Sequence, residues 1–493
     1  MYEGIDYNST DASTSGSVIG DASTSNVILN GIENTLKVVG DNSGNSLSNA
    51  TINAYGTAVE FDNTSGGSLS LTNATVNGGL KEVTPPGGTT KEKVAVILGS
   101  SGADILKLEN SVINGNIDMK AGKNTIDAGN NTTINGDIKG GDDVDTFISG
   151  NNVVINGEIN LGNGANKIEL GNKVYINGDI STGTSKGVDF TGGSEIYLNG
   201  EVVFTDKEDT FTLGEKSVIN KDIDMGAEND TLTIGAGSIV NAALNGGDGT
   251  DTLTFGKNSV ASPASITRNN TEDSINISHD IAGFENINVG TKVTFASDLS
   301  ITGANNIALE KDGVLLLTLD KTTLGIDGKM TGHALYNLGS TTSVSSTGGR
   351  LLLDLDGATA EQIITFGDTN LEESIVPGDN ETLDITSKVH TIKAGATPNE
   401  MIVVLRWTIP EILKYKGLNG VYHGIGSVND LIGNFNIKSD EQLVTFIEYL
   451  NNIYAGSPYS YSSELSRKSA GMFRDIVVDN IFRPECFIKT WIK

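Results

Sequence analysis

Two pairs of acidic residues have the types and spacing that acid–base chemistry requires. Asp142 and Asp143 are adjacent, and Asp248 and Asp251 lie close together in a second Gly-rich stretch. Glycoside-cleaving enzymes use two carboxylates of this kind as proton donor and proton acceptor or nucleophile. Enzymes that act on acidic polysaccharides also need cations to hold the substrate, yet residues 1–400 contain only two arginines. A carbohydrate-active β-helix enzyme is therefore an alternative function and not the favoured one.

A possible calcium motif overlaps the second acidic pair. The stretch "GGDGTDTLT", Gly246–Thr254, fits the calcium nonapeptide, and "GGDDVDTFI" from Gly140 nearly does. Calcium in that motif lies between turns that repeat every nine residues, whereas these two copies are far apart in a longer repeat. The spacing favours a structural turn. A calcium-dependent surface-layer or matrix protein stays open as a further alternative.

Other reactive groups give weaker patterns. The stretch "GDNSGNS" from Gly40 resembles a protease serine loop with one residue too many, and the four histidines are His279, His333, His390 and His423. Zinc-ligand spacing and phosphate-binding loops do not occur in the sequence. We therefore expect no enzymatic activity, no catalytic residues, no bound cofactor and no metal ligands.

A regular repeat must position all of these residues. The phrase Ile-Asn-Gly-x-Ile and its variants recur about every 21 residues, and a second row of Asp and Asn residues keeps the same period with Gly187 in one of its places. The phrase begins at Ile113, Ile134, Ile155, Ile176, Leu198, Ile219 and Val240. The second row is Asp104, Asn124, Asp145, Asn166, Asp209, Asp230 and Asp251, each before an alternating strand.

A period of this length is typical of a solenoid, in which each unit buries its apolar side against its neighbours. The units are rich in Ile, Thr, Asn and Gly without helical periodicity, which disfavours a leucine-rich repeat, and 21 is not a multiple of the hexapeptide of left-handed β-helices. We therefore predict an all-β fold, a right-handed parallel β-helix of about 21 residues and three short strands per coil, with a short C-terminal α-helical segment.

The pattern within one coil predicts which side chains face the core. Alternation places four apolar pairs inward, and the Asn-Gly pairs after the repeated phrase are expected at tight corners, where Gly takes positive φ and Asn tolerates it. The inward pairs are Leu232 with Ile234, Leu253 with Phe255, Phe211 with Leu213 and Ile168 with Leu170. The corner pairs are Asn114-Gly115, Asn135-Gly136, Asn156-Gly157 and Asn177-Gly178, whose stacked amides can bond along the axis.

The sequence changes character after Pro410. A capping box at Ser439 and Gln442 opens a stretch with apolar residues at helical spacing, and a second amphipathic pattern follows Pro458. The pattern predicts two helices near the C-terminus.

Here the residues resemble a known family. A Gly/Asn/Thr-rich solenoid followed by helices and by "SPYSYSSELSRKSAGMF" and "KTWI" resembles a type V autotransporter at the junction of passenger and translocator. In that family the helical linker threads an outer-membrane β-barrel, and the passenger is displayed outside as a β-helix, often as an adhesin. A barrel needs at least eight strands, so the resemblance implies a translocator truncated after its very start. The first residues also lack the pattern of a signal peptide.

Four segments follow from these patterns. We predict irregular N-terminal β-helix coils over residues 1–95, regular coils over 96–262, C-terminal coils resembling an autochaperone region over 263–405, and the helical linker with the barrel start over 406–493. The single cysteine, Cys486, rules out an intramolecular disulfide framework.

The function expected from the resemblance is a surface-displayed, non-catalytic adhesin or interaction rod in virulence or cell–cell adhesion. The net charge of −29 disfavours nucleic acid as a partner. The expected partner is a host-cell or bacterial surface receptor, protein or glycan, met by a monomeric chain at the cell surface. Contact with the outer membrane is expected only through a barrel that is missing from this chain.

Overall fold

A computed structural model describes residues 6–8, 17–19, 23–38, 45–62, 64–84, 88–183, 186–256, 274–295, 300–311, 313–318, 329–331, 343–354, 363–365, 383–385, 390–394 and 400–405. These residues form β-strands and turns and contain no helix. The chain divides into two compact units, residues 1–294 with 299–313, and residues 295–298 with 314–493. The predicted C-terminal helices, the linker and the barrel start lie outside the described residues.

The first unit is a parallel β-solenoid, as the period predicts, and it has about 12 turns. Each coil contributes one strand to each of three parallel sheets, which we call A, B and C.

Sheet A contains β1 (Asp6–Asn8), β4 (Ile28–Gly31), β7 (Thr51–Ala54), β10 (Thr75–Asn77), β15 (Val112–Asn114), β18 (Thr133–Ile134), β21 (Val154–Ile155), β24 (Val174–Ile176), β27 (Ile196–Leu198), β30 (Val218–Ile219), β33 (Ile239–Val240), β36 (Ile275–Ile277) and β39 (Lys292–Phe295). Sheet B contains β2 (Ser17–Ile19), β5 (Leu36–Val38), β8 (Val59–Phe61), β13 (Ile97–Leu98), β16 (Ile117–Asp118), β19 (Ile138–Gly141), β22 (Ile159–Gly162), β25 (Ile180–Ser181), β28 (Val202–Val203), β31 (Ile223–Asp224), β34 (Leu244–Asn245), β37 (Ile281–Ala282) and β40 (Ile301–Thr302). Sheet C contains β3 (Ser23–Ser25), β6 (Asn45–Ser48), β9 (Ser68–Thr72), β14 (Ile105–Glu109), β17 (Thr125–Ala128), β20 (Thr146–Ser149), β23 (Lys167–Leu170), β26 (Asp189–Gly192), β29 (Thr210–Leu213), β32 (Thr231–Gly235), β35 (Thr252–Gly256), β38 (Asn286–Val289) and β41 (Asn306–Leu309).

The register of sheet A confirms that the repeated phrase occupies the same position in successive coils. Ile113 pairs with Ile134, Ile134 with Ile155, and the series continues in the same way to Val240. All seven of these residues are at most 1% exposed. Equivalent side chains therefore stack in one file inside the solenoid, and each coil covers the apolar side of the next.

The predicted inward pairs of sheet C are also buried. The side chains of Phe211, Leu232 and Leu253 are 0% exposed and are successive register partners. The ring of Phe211 packs at 4.3 Å from that of Phe190 and at 5.3 Å from that of Phe204, in edge-to-face geometry. Such aromatic contacts add to the stabilisation that burial of the apolar area provides.

An antiparallel hairpin leaves the solenoid between β10 and β13. It consists of β11 (Glu82–Val83) and β12 (Glu92–Lys93). The coil that carries it is longer than its neighbours, because Asn77 and Asn114, which stack on each other, are 37 residues apart. The strands on either side nevertheless keep their parallel register.

The second unit contains β42 (Val314–Thr318), β43 (Lys329–Thr331), β44 (Ser343–Ser346), β45 (Arg350–Asp354), β46 (Ile363–Thr365), β47 (Leu383–Ile385), β48 (His390–Ala394) and β49 (Glu400–Leu405). Strands β42, β45 and β47 pair in parallel. In a separate four-stranded sheet, β43 and β46 are parallel, whereas β49 is antiparallel to both β46 and β48.

Candidate functional site: stacked polar and aromatic columns

The first predicted acidic pair lies on an exposed turn between β19 and β20. Oδ1 of Asp142 accepts from Nδ2 of Asn163 at 2.8 Å, and Oδ2 of Asp143 accepts from the amide of Gly122 at 3.0 Å. Both partners belong to neighbouring coils. The two carboxylates therefore tie turns of successive coils together.

The stretch Gly246–Thr254 forms the corner between β34 and β35 and then enters β35 at Thr252, as the structural interpretation predicts. The exposed Asp248 donates its backbone amide to the carbonyl of Gly226 at 3.1 Å, whereas Asp251 is 0% exposed. The corner thus separates its two acids, one outside and one inside the solenoid. Within the described ranges, no group of three or more His, Cys, Asp or Glu side chains is arranged to hold a metal ion.

The remaining reactive candidates are scattered. Ser278 Oγ lies 2.8 Å from Nδ1 of the adjacent His279, and Oδ1 of Asp280 accepts from the amide of Ser300 at 2.7 Å. His390 lies in β48 of the second unit. His333, His423 and residues 40–44 of the serine-containing stretch lie outside the described residues.

A buried column of acids and amides runs along the corner between sheets B and C. We call it the acid–amide column, and each of its side chains is at most 2% exposed. Its members are Asp104, Asn124, Asp145, Asn166, Asp209, Asp230 and Asp251. Where two members lie on consecutive coils, the backbone amide of one donates to Oδ1 of the next, at 2.7 to 3.0 Å.

The second oxygen of three of these aspartates closes its own corner turn. The amides of Ser100, Gly141 and Thr205 each donate to Oδ2 of the aspartate four residues later, at 2.6 to 2.9 Å. In the asparagines of the column, Nδ2 takes the place of the aspartate Oδ2. It donates to carbonyls of the corner turn, for example from Asn124 to Gly122 at 2.9 Å. Two coils thus contribute backbone partners to five of the column's side chains, which are Asp104, Asn124, Asp145, Asn166 and Asp209.

Burial raises the pKa of the column's aspartates, because removal from water disfavours the charged form. The effect is largest for Asp230, whose pKa rises to about 8. Burial is the main cause, and the charges of Asp209 and Asp251 raise this pKa further against the lowering effect of the Asp209 amide. Within the described ranges, Oδ2 of Asp230 and Oδ2 of Asp251 are buried and have no hydrogen-bond partner.

The period of the sequence identified the residues of the acid–amide column, but it did not indicate that they are buried. The pattern placed each residue before an alternating strand and did not indicate its burial, which is unusual for a charged group. The feature of the sequence that could have indicated this burial is that Asp and Asn replace each other at the same position of the repeat. Both residues carry an oxygen that can accept the same backbone amide.

A second column, the asparagine ladder, runs along the edge of sheet A. Each of its members donates from Nδ2 to Oδ1 of the preceding member, at 2.6 to 2.9 Å. The members are Asn30, Asn53, Asn77, Asn114, Asn135, Asn156, Asn177, Asn199, Asn220 and Asn241. The predicted hydrogen bonding of stacked amides along the axis is confirmed.

The predicted positive φ at the Asn-Gly corners is wrong for most of them. Among Gly115, Gly136, Gly157 and Gly178, only Gly115 has a positive φ, at 140°. The residues with left-handed backbone lie a few positions earlier in each coil. One of them is Asn131 (φ 53°), and the equivalent residues of later coils are Lys173, Glu195 and Lys216. At Gly136, Gly157 and Gly178 the need for glycine is steric, since a Cβ there would overlap the backbone of the preceding coil.

An apolar stripe accompanies the asparagine ladder on the outer side of sheet A. It consists of Val154, Tyr175, Tyr197, Val218 and Ile239, which are register partners on five successive coils. Tyr175 and Ile239 are 39% and 41% exposed, and the rings of Tyr175 and Tyr197 stack at 4.3 Å with an angle of 4°. Each stripe residue lies two positions before a ladder asparagine, so the two rows share one outward side.

These columns present repeated noncovalent contacts. The outer side of sheet A offers apolar side chains beside a continuous row of amides, and the turns offer carboxylates that accept hydrogen bonds from neighbouring coils. The acid–amide column lies inside and serves the stacking of the coils.

In the part of the chain that the structure describes, no helix has the length and apolar character needed to cross a membrane. No protein-family model matches the chain, and no curated protein matches it.

Proposed function

We propose that the chain is the passenger of a type V autotransporter and acts as a non-catalytic interaction rod, an adhesin displayed on the bacterial surface. The observation that carries this proposal is the apolar stripe with the adjacent asparagine ladder, which repeats the same contact on five successive coils. Exposed contiguous apolar surface rimmed by polar groups marks interaction sites.

The solenoid supports the proposal through its geometry. Successive strands lie about 4.8 Å apart, so the rows place amides and apolar side chains at regular short distances along one side. A partner that touches several coils sums many weak contacts, and the total affinity then comes from multivalency. The partner proposed is a surface receptor, protein or glycan, on a host cell or on another bacterium, with a role in virulence or cell–cell adhesion.

Binding of the purified full chain to host cells and to bacteria tests this function. We expect saturable binding by the wild-type chain that a double variant, Tyr175→Thr with Tyr197→Thr, reduces at least about tenfold, because both rings leave the centre of the stripe. Threonine keeps a strand-forming residue at each position. Circular dichroism of each variant verifies that the solenoid is intact.

A matched control changes two outward residues of sheet C, which faces another side. Thr212→Val and Thr233→Val alter register partners on β29 and β32 and are expected to leave binding unchanged. Absence of binding to any cell surface would contradict the proposed function. Equal loss in both double variants would contradict the location of the contact on sheet A.

A further inference from the structure

The acid–amide column has two parts that differ in charge pattern. In the first part aspartate and asparagine alternate, from Asp104 to Asn166, so a neutral amide separates successive acids. In the second part Asp209, Asp230 and Asp251 occupy consecutive coils. Glu285 extends the series, because its Oε2 accepts from the amide of Asp251 at 2.7 Å. Like charges therefore face one another across consecutive coils only in the second part of the column.

The second part also lacks internal partners for two carboxylate oxygens. Oδ2 of Asp209 accepts from the Thr205 amide and from Thr205 Oγ1, each at 2.9 Å. In the part of the chain that the structure describes, Oδ2 of Asp230 and Oδ2 of Asp251 are buried and accept no such bond. An ionised oxygen in this position loses its hydration without compensation, which makes the charged form costly.

The asparagines of the first part show which hydrogen bond a protonated aspartate could donate in the second part. Nδ2 of Asn124 and of Asn166 donates to a carbonyl of its own corner turn, at 2.9 Å to Gly122 and to Gly162 respectively. A protonated aspartate carries an O–H in place of that N–H, and its other oxygen still accepts from the preceding coil. Protonation thus converts the aspartate into a chemical equivalent of the asparagine at the same place in the column.

The groups around Asp230 increase the need for this proton. The preceding coil presents Glu208 and Asp209, the following coil presents Asp248 and Asp251, and Glu228 lies in the turn of Asp230 itself. Lys207 is the lysine of the preceding turn, and its Nζ donates to the carbonyl of Asp206 at 2.8 Å. The surroundings of Asp230 are therefore acidic on both adjoining coils.

We propose that the coils from Asp209 to Glu285 form an acid-stabilised segment of the solenoid. In its closed form this segment holds a proton on the Asp230 carboxyl, and loss of that proton loosens these coils while those from Asp104 to Asn166 stay closed. The device makes one section of the solenoid sensitive to the pH of its surroundings.

The direction of the effect follows from linkage. The pKa of Asp230 is about 8 in the folded segment and 3.8 when the residue is in water. Between these values the closed segment binds a proton that the open segment releases, so the opening equilibrium constant rises by about tenfold per pH unit as pH increases. Stabilisation is complete below about pH 4 and is lost as the pH rises to about 8.

Hydrogen exchange on the full chain tests the proposal with an internal control. Protection factors, corrected for the intrinsic pH dependence of exchange, are compared at pH 5.5 and pH 7.5 for peptides covering 205–256 and 104–166. We expect protection in 205–256 to fall by about 100-fold, that is by one proton over two pH units, while 104–166 changes little. Equal pH dependence in the two regions, or none in 205–256, would overturn the proposal.

Two reciprocal variants identify the residue that is responsible. Asp230→Asn restores the alternation of the first part and is expected to raise protection of 205–256 at pH 7.5 and to abolish its pH dependence. Asn124→Asp places three acids on consecutive coils and is expected to create pH-dependent protection in 104–166. If this variant folds only at acid pH, that result supports the proposal equally.

A third variant controls for removal of a negative charge. Asp222→Asn changes an exposed residue whose Oδ1 accepts from the Ala243 amide at 2.9 Å. It is expected to leave the pH dependence of 205–256 unchanged. Retention of the full pH dependence in Asp230→Asn, or its loss in Asp222→Asn, would show that the consecutive buried acids are not its cause.

Discussion

Gly157 lies directly against Gly136 of the preceding coil, so that a Cβ on Gly157 would stand 2.3 Å from the carbonyl carbon of Gly136. The same contact joins Gly178 to Gly157 and Gly136 to Gly115. Because the atoms opposite are backbone, they cannot move aside by changing a rotamer. We expect Gly157→Ala to lower the free energy of unfolding by about 2–3 kcal/mol, as overpacking does, measured by urea denaturation.

Gly256 provides the matched control for this steric prediction. Among the described residues, a Cβ there would meet only the Cγ2 methyl of Thr233, at 3.7 Å, which is ordinary van der Waals contact. Gly256→Ala is therefore expected to change stability by no more than about 0.5 kcal/mol. Equal destabilisation by both alanines would mean that the glycines are needed for conformational freedom and not for close stacking.

The interior of the asparagine ladder gives a second prediction. Asn156 donates to Asn135 at 2.6 Å and accepts from Asn177 at 2.7 Å, so Asn156→Ala removes two hydrogen bonds and leaves both neighbours without a partner on one side. We expect a loss of about 1–2 kcal/mol in thermal or urea unfolding.

Asn163→Ala serves as the comparison for the ladder. Asn163 donates a single side-chain bond, 2.8 Å to Asp142, at an exposed turn. A smaller loss, within about 0.5 kcal/mol, is expected because water replaces the missing partner. If this variant costs as much as Asn156→Ala, stacking of the amides adds nothing to stability.

The left-handed corner offers a stabilising substitution. Lys173 has φ 58°, follows Asn152 in the same column, and has a distant ion pair with Glu195 at 3.9 Å on the surface. Asparagine tolerates this backbone conformation better than lysine, and exposed ion pairs contribute little. We expect Lys173→Asn to raise the free energy of unfolding by about 0.5–1 kcal/mol through this preference and one added amide contact to Asn152.

A glycine variant separates the two contributions. Lys173→Gly relieves the backbone strain without adding an amide, although the unfolded chain gains entropy. A smaller gain than that of Lys173→Asn is expected in the same denaturation experiment. No gain in either variant would show that the corner bears no strain at this coil.

The period of the repeat predicted the fold because stacking in a solenoid acts on each position in the same way. Ile134 and Ile155 are register partners as expected, and the alternation in β32 correctly placed Leu232 and Ile234 inside. The burial of Asp230 could not be inferred, since it depends on backbone amides of two coils that no local pattern reveals. The corner conformation was assigned to the wrong residues because Asn and Gly occur at both corners.

The outward rows were predictable only in part. The alternation that places Leu232 and Ile234 inside also places Thr231 and Thr233 outside. The stacking of Tyr175 on Tyr197 depends on the pairing of their strands, which the sequence indicates only through the spacing of 22 residues from Ile176 to Leu198. Three inferences stay predictions. They are the right-handedness of the coil, the division of the chain into four segments and the function inferred from the resemblance.

The hairpin Glu82–Lys93 shows that an insertion can extend one coil without changing the register of the strands on either side. Strands before and after it stay in register, although Asn114 stacks on a residue 37 positions earlier. A foreign peptide exchanged for this hairpin would therefore be carried on an unchanged scaffold. Descendants of this chain could acquire new binding specificities by replacing one excursion, without having to rebuild the stack that supports it.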